Sequence, residues 1–163
     1  MLTTDQVDRA EGVLLGTAAG DALGAGYEFG YPTADQEIAM IGGGPFDWAP
    51  GEWTDDTSMA MCVADALAAE SDALATGSAG ALNAVAANFV TWYDTRPPDI
   101  GNQTRSVLSH RDSSAEAMTR RAAGLSGRTG GNGSLMRTAP VSLAFLHDER
   151  GLVDAATSIS ALT

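Results

Sequence analysis

The stretch "GEWTDDTSMAM", residues 51–61, sets Thr54, Asp55, Asp56 and Thr57 in a row ahead of an apolar helical pattern. Consecutive oxygen-bearing side chains serve two kinds of chemistry. One is helix initiation: a Thr or Asp caps the free amides of a first turn, and acidic groups there meet the positive end of the helix dipole. The other is cation binding. Adjacent carboxylates repel, and two carboxylates with two hydroxyls offer more oxygen than one cap uses. A hard ion such as Mg2+ would neutralise the pair and take oxygen ligands at about 2.0 to 2.1 Å. Zn2+ fits poorly, because His110, His147 and Cys62 form no soft-ligand cluster in the sequence.

Three further groups carry possible chemistry. "SGRTGGNGSLMR", residues 126–137, frees backbone amides through Gly127, Gly130, Gly131 and Gly133, with Asn132 and Ser134 as added donors ahead of an expected helix. Such a turn either cradles a pyrophosphate against a helix N-terminus or serves as a flexible linker. The usual nucleotide fingerprints are missing: no strand precedes it and no lysine follows. Asp99 stands after Pro97 and Pro98, with Gly101, Asn102, Gln103 and Thr104 behind it. Asp99 or Asn102 capping the next short helix is its ordinary role. Glu28, beyond Gly24, has an ordinary role as a solvated loop acid. Trp48, Trp53 and the Trp92–Tyr93 pair are able to stack on a base, but interior packing is expected for each. His110 and His147 are expected at the surface near helix ends, with no catalytic role.

The elements that must position these groups are helical. In "TTDQVDRAEGVLLGTAAGDALG", residues 3–24, Thr3 and Gln6 have capping-box spacing ahead of Val7, Ala10, Val13, Leu14 and Ala18. Gly12, Gly16, Gly20 and Gly24 fall on one stripe. Each costs helix stability relative to alanine, so the stripe is expected to admit a neighbouring backbone or a ligand. Residues 27–53, with Pro32, Pro45, Pro50 and a glycine triplet, form a long surface connection. From Asp56, the residues Met59, Met61, Val63, Ala66 and Leu67 mark a second helix, ending at the polar link "ESDALATGSAG". "ALNAVAANFVTWYDTR" gives a third, stopped by Pro97 and Pro98. "SSAEAMTRRAAGL", with Ser113 and Glu116 at capping-box spacing, gives another; "LMRTAPVSLAFLHDE" and "GLVDAATSISALT" complete the set. No sustained period-two alternation or solenoid repeat occurs, so the fold class is all-α.

Composition narrows the partners. The 163 residues suffice for one globular unit, and the formal net charge is -12. That field repels phosphate backbones and anionic lipid, so neither nucleic acid nor membrane is expected as a partner. All nine basic residues are arginine, which excludes Schiff-base chemistry and a P-loop lysine. "GVLLGTAAG" is too short to span a bilayer, and the acidic start is unlike a signal peptide. With a lone Cys62 in a helical pattern, a cytoplasmic location is expected.

Taken in order, "RAEGVLLGTAAGDALGAGYEFG", "WTDDTSMAM", "PPDIGNQTR" and "GGNGSLMRTAPVSL" resemble the ADP-ribosylglycohydrolase family. Each motif alone is weak, but the ordered set is specific and covers nearly the whole chain. The resemblance implies an all-helical fold holding two Mg2+ or Mn2+ ions that clasp the ribose hydroxyls of an ADP-ribosyl group. Thr54, Asp55 and Asp56 match its N-terminal metal ligands. Glu28 matches a glutamate at the mouth of the site, and Asp99 an acidic position suited to proton transfer. Gly101 and the loop residues Thr129, Gly130, Gly131, Asn132, Gly133 and Ser134 match the part that receives ADP-ribose.

Family members are longer and bring further ligands in a late Asp-x-Asp-Thr motif that does not occur here. Residues 1–163 are thus expected to form the N-terminal portion of one such domain, with a complementary C-terminal half as a candidate partner. The implied activity is metal-dependent cleavage of the glycosidic bond between ADP-ribose and a side chain or small acceptor. The alternatives are a non-catalytic ADP-ribose-binding or structural module, a fragment inactive without its other half, and a metal-dependent hydrolase of phosphate esters.

Overall fold

In a computed structural model, which describes residues 2–69, 79–112, 114–127 and 129–163, every regular element is helical. The capping box at Thr3 forms as the sequence predicts. The Gln6 amide donates to Thr3 Oγ1 at 3.2 Å and the Thr3 amide to Gln6 Oε1 at 2.9 Å, opening α1 over Thr4–Gly24. A 3-10 turn at Ala25–Tyr27 leads into the long connection, which contains a second such turn at Gly44–Phe46 and a single bridge between Gly43 and Trp48. Then come α2 (Asp55–Ala69), α3 (Ala79–Asp94), α4 (Asn102–Leu108) and α5 (Ala115–Ala123). A 3-10 turn at Leu135–Arg137, the short α6 (Val141–Ala144) and α7 (Glu149–Ser160) follow. Among the described residues no helix is long and apolar enough to cross a membrane.

The core centres on α2 and α3. Met59, Val63, Ala66 and Leu67 recur at helical spacing on one face of α2 and meet Val85, Ala86 and Phe89 of α3. Val107, Leu108, Met118, Val141, Ile159 and Leu162 close the cluster from the later elements. Asn83 on α3 caps α5 by accepting the Ala115 amide at 2.8 Å, and Asn88 donates to the Cys62 carbonyl at 2.9 Å. Cys62 itself is half-buried against the core, and burial pushes its thiol up to about 11.

At the centre lies Arg137, with no exposed surface. Its guanidinium sits 4.6 Å from the Phe89 ring centroid and donates to Thr163 Oγ1 at 2.7 Å and to the Ile159 carbonyl at 3.1 Å. No described carboxylate pairs with it, and desolvation lowers its pKa to about 10.

Several sequence expectations are corrected. The glycine stripe of α1 admits no neighbouring backbone: a Cβ at Gly12, Gly16, Gly20 or Gly24 would meet nothing within 4 Å. The physical reason is that α1 lies on the surface, with Ala22 as its buried residue. Close backbone approach occurs instead at Gly26, where a Cβ would strike the Gly42 carbonyl. Neither Asp99 nor Asn102 caps α4; Gly101 is its N-cap and makes no side-chain bond.

Other corrections concern helix starts and aromatic burial. Ser114 caps α5, accepting the Ala117 amide at 3.2 Å, while Ser113 and the link 70–78 fall outside the described residues. "LMRTAPVSLAFLHDE" is not one helix, because Pro140 lacks the amide that a continuous helix would use there. Met61 and Trp53 are exposed, at 37% and 52%, whereas Trp48 is buried as expected. His110 and His147 are at the surface.

Replacing a fully buried ring leaves a cavity. Phe89→Ala is expected to destabilise the chain by about 3 to 5 kcal/mol, whereas Leu15→Ala on the exposed face of α1 changes stability by about 0.5 kcal/mol or less. Urea denaturation of the two variants compares the costs.

Candidate active site

The acidic residues singled out by sequence come together. Glu28, Asp55, Asp56 and Asp99 line one cleft of about 790 Å3, though they derive from the end of a 3-10 turn, the start of α2 and the approach to α4. Gly101, Thr129, Gly131, Asn132, Gly133 and Ser134 line the same cleft. The two glycine-bearing segments are neighbours. Thr104, buried at the first turn of α4, has its Oγ1 3.9 Å from where a Cβ on Gly101 would stand and 3.6 Å from one on Gly133. Neither Gly130 nor Thr54 is among the lining residues, but the buried Thr54 hydroxyl lies 3.4 Å from Oδ1 of the cleft-lining Asp55. The glycine loop runs into the three-residue turn Leu135–Arg137, so it does not present a regular helix N-terminus.

Three features were missed from sequence. The first is Asp21, near the end of α1. Its Oδ2 accepts the Thr54 amide at 2.8 Å, the Thr57 amide at 3.0 Å and the Thr57 hydroxyl at 2.6 Å, while its Oδ1 accepts the Thr54 hydroxyl at 2.7 Å. The amide cap of α2 is therefore supplied by another helix, and Asp55 and Asp56 are not consumed as caps. The second is Thr119, Ala122 and Ala123, a helical-spaced face of α5 that walls the cleft. The third is the end of α7, where Ser160, Ala161 and Thr163 complete the lining. The spacing of the α5 residues shows a face but not what it faces, and the other two depend on contacts distant in sequence.

Among the described residues, no basic side chain enters the cleft. The acids therefore destabilise one another. Burial chiefly, then the Asp99 charge and a hydrogen bond to Asp99, raise Glu28 to about 7. Asp99 Oδ2 is buried with no hydrogen-bond partner. Asp55 is likewise raised to about 7 by burial first, then by Asp99, Asp56 and Asp21. Asp56 is raised by burial, Asp21 and Asp99. A positive ligand would relieve this repulsion.

The donor chemistry fits a hard divalent cation: all the groups are oxygen, most are anionic, and Asp99 Oδ2 is an orphaned buried acceptor. Among the described residues, no three His, Cys, Asp or Glu side chains converge on one ion. Mg2+ commonly takes only one or two carboxylates and retains water, so the Asp55–Asp56 pair with the Thr54 hydroxyl is a sufficient protein contribution in kind.

Fold and cleft together define an all-helical protein with one acidic cleft among the described residues. Residues 2–163 match the family described as ADP-ribosylglycohydrolase, and the chain belongs to that family. It is 40% identical over 158 residues to the ADP-ribosylarginine hydrolase Tri1 of Pseudomonas putida (strain GB-1), a match covering 90% of this chain and 39% of that protein. It is 38% identical over 149 residues to the ADP-ribosyl-(dinitrogen reductase) glycohydrolase of Rhodospirillum rubrum, covering 85% and 45%. A solved ADP-ribosylglycohydrolase-related protein complex superposes with a TM-score of 0.72 at 34% identity, covering 99% of this chain and 50% of that one. The chain thus spans less than half the length of these two curated relatives.

The raised carboxyl groups bind more protons in the folded than in the unfolded chain, so stability falls as pH climbs through the window between the two values. That window runs from 4.5 to about 7 for Glu28 and from 3.8 to about 7 for Asp55. The melting temperature is expected to decline between about pH 5 and about pH 7, with most of the decline absent from the Glu28→Gln, Asp55→Asn double variant. Thermal melts across pH check both points.

Proposed function

We propose that this chain provides the acidic side and the ADP-ribose-receiving loop of a divalent-cation-dependent glycohydrolase site that removes ADP-ribosyl groups. The observation that carries the proposal is the convergence of Glu28, Asp55, Asp56 and Asp99 in one cleft with the 129–134 loop and no described basic residue. The names of the relatives support the substrate class. Thr54, Asp55 and Asp56 would hold Mg2+ or Mn2+, which would supply positive charge to offset their repulsion and help orient ribose oxygens.

The remaining chemistry belongs to the chain. Asp99, with a buried oxygen lacking a hydrogen-bond partner, accepts a proton from the attacking water as the glycosidic bond breaks. Glu28, raised toward neutrality, holds a proton that can pass to the departing group. The exposed Asn132 and the glycine amides of the loop bind the anionic pyrophosphate, as backbone N–H groups freed by glycine do elsewhere.

A second reading is ADP-ribose binding without turnover by the 163-residue chain, with a complementary half supplying the rest of the site. It is favoured by the lack of three converging ligands among the described residues. Calorimetric titration of ADP-ribose with Mg2+, and again with chelator, tests the shared expectation of metal-dependent binding. Release of ADP-ribose from an ADP-ribosylarginine peptide separates the two readings.

Asp55→Asn and Asp56→Asn are each expected to weaken the metal-dependent affinity by at least about 100-fold, since even outer-shell losses cost 10- to 100-fold. Because each removes a repelling charge, their melting temperatures should equal or exceed that of the parent. Unchanged ADP-ribose affinity in the double variant at limiting Mg2+ would sink the assignment.

A further inference from the structure

Asp55 and Asp56 repel each other, and within their own turn the Thr54 hydroxyl meets Asp55 Oδ1 only at a long 3.4 Å. The restraint comes from α1. One carboxylate, Asp21, accepts both the amide and the hydroxyl of Thr54, and both the amide and the hydroxyl of Thr57. These residues flank the acidic pair, so the turn is pinned at both ends across sequence separations of 33 and 36 residues. Bonds to an ionised acceptor are short and strong, and here the hydroxyl bonds measure 2.6 and 2.7 Å.

Two consequences follow for a cation on the other side. The Thr54 hydroxyl spends its only proton on Asp21, which leaves the oxygen's lone pairs for a ligand role. Asp55 and Asp56 are spared from capping α2, because the Thr57 amide is already satisfied. Asp21 is not among the residues that line the cleft and meets the acidic turn from the α1 side, through Thr54 and Thr57.

We infer that Asp21 is a positioning residue, whose carboxylate holds Thr54 and Thr57 from behind and so sets the spacing at which Thr54, Asp55 and Asp56 present oxygen to a divalent cation. The inference rests on the metal-site reading given above. A plain structural role, tying α1 to α2, would use the same four bonds but would not alter how an ion is held.

The test uses Mn2+ as probe, followed by electron paramagnetic resonance on the 163-residue chain, with melting temperatures measured in parallel. Thr57→Val is nearly isosteric and removes one bond to Asp21 without changing charge; Asp21→Asn keeps the size and removes the charge. The expected result is Mn2+ affinity lowered about 10-fold by Thr57→Val and up to about 100-fold by Asp21→Asn, with an altered bound-ion spectrum in both, at a temperature where each is folded. Loss of affinity in Asp21→Asn alone, with Thr57→Val unchanged in affinity and spectrum, would mean that Asp21 acts by charge and would overturn the positioning role. Lowered melting temperatures with unchanged affinity in both variants would reduce Asp21 to a helix tie. If Asp21→Asn does not fold, Thr57→Val decides the matter alone. A parent chain that binds no Mn2+ overturns the metal reading, and the positioning role with it.

Discussion

Arg137 ties α3 and the end of α7 to the segment that follows the glycine loop. Arg137 brings a guanidinium into a shell of Phe89, Met59 and the last turn of α7, with no described carboxylate beside it. Burying an unpaired charge is costly, and the chain offsets that cost with the face of an aromatic ring, a helix-terminal carbonyl and a threonine hydroxyl. The carbonyl belongs to Ile159 near the C-terminal end of α7, where the helix dipole favours a cation. Because these partners come from α3, α7 and the segment beyond it, the guanidinium fixes how the 135–137 turn sits against the bundle. That turn in turn carries the glycine loop into the cleft.

The cleft has the opposite character. There, anions gather without a described basic partner, while the core holds a cation without a described acid. If the arginine reached the cleft, the carboxylates would be neutralised internally and would have little remaining attraction for an external ion. Keeping Arg137 wholly buried leaves Glu28, Asp55, Asp56 and Asp99 without a counter-ion from it. The surface ion pairs, such as Arg111 with Asp94, lie elsewhere and stabilise little.

The parts of this arrangement that were legible in the sequence are those decided over three or four residues. The Thr3–Gln6 box, the α2 face of Met59, Val63, Ala66 and Leu67, and the stop at Pro97 all rest on local spacing. No periodicity brings Glu28 to Asp99; only the ordered motifs that resemble a family single out both, and the structure sets them in one cleft. Asp21 escaped notice because its partners are dozens of residues away and its short side chain looks like any polar residue on an exposed helix. The cap at Ser114 is one residue from the predicted position, a difference that local pattern does not resolve. The segment after the glycine loop failed for a clearer reason: apolar spacing suggested a helix, and Pro140 interrupted it.

The exposed stripe on α1 has a consequence for cooperativity. A helix of 21 residues that buries only Ala22 and carries Gly12, Gly16 and Gly20 within its span gains little from packing and forgoes some intrinsic propensity. Its order in this chain depends on the end near Asp21, where four hydrogen bonds cross to Thr54 and Thr57 at the entry to α2. Amide exchange along most of α1 would then report the opening of a nearly isolated helix, whereas exchange near Asp21 and Thr57 would report the integrity of the acidic cleft.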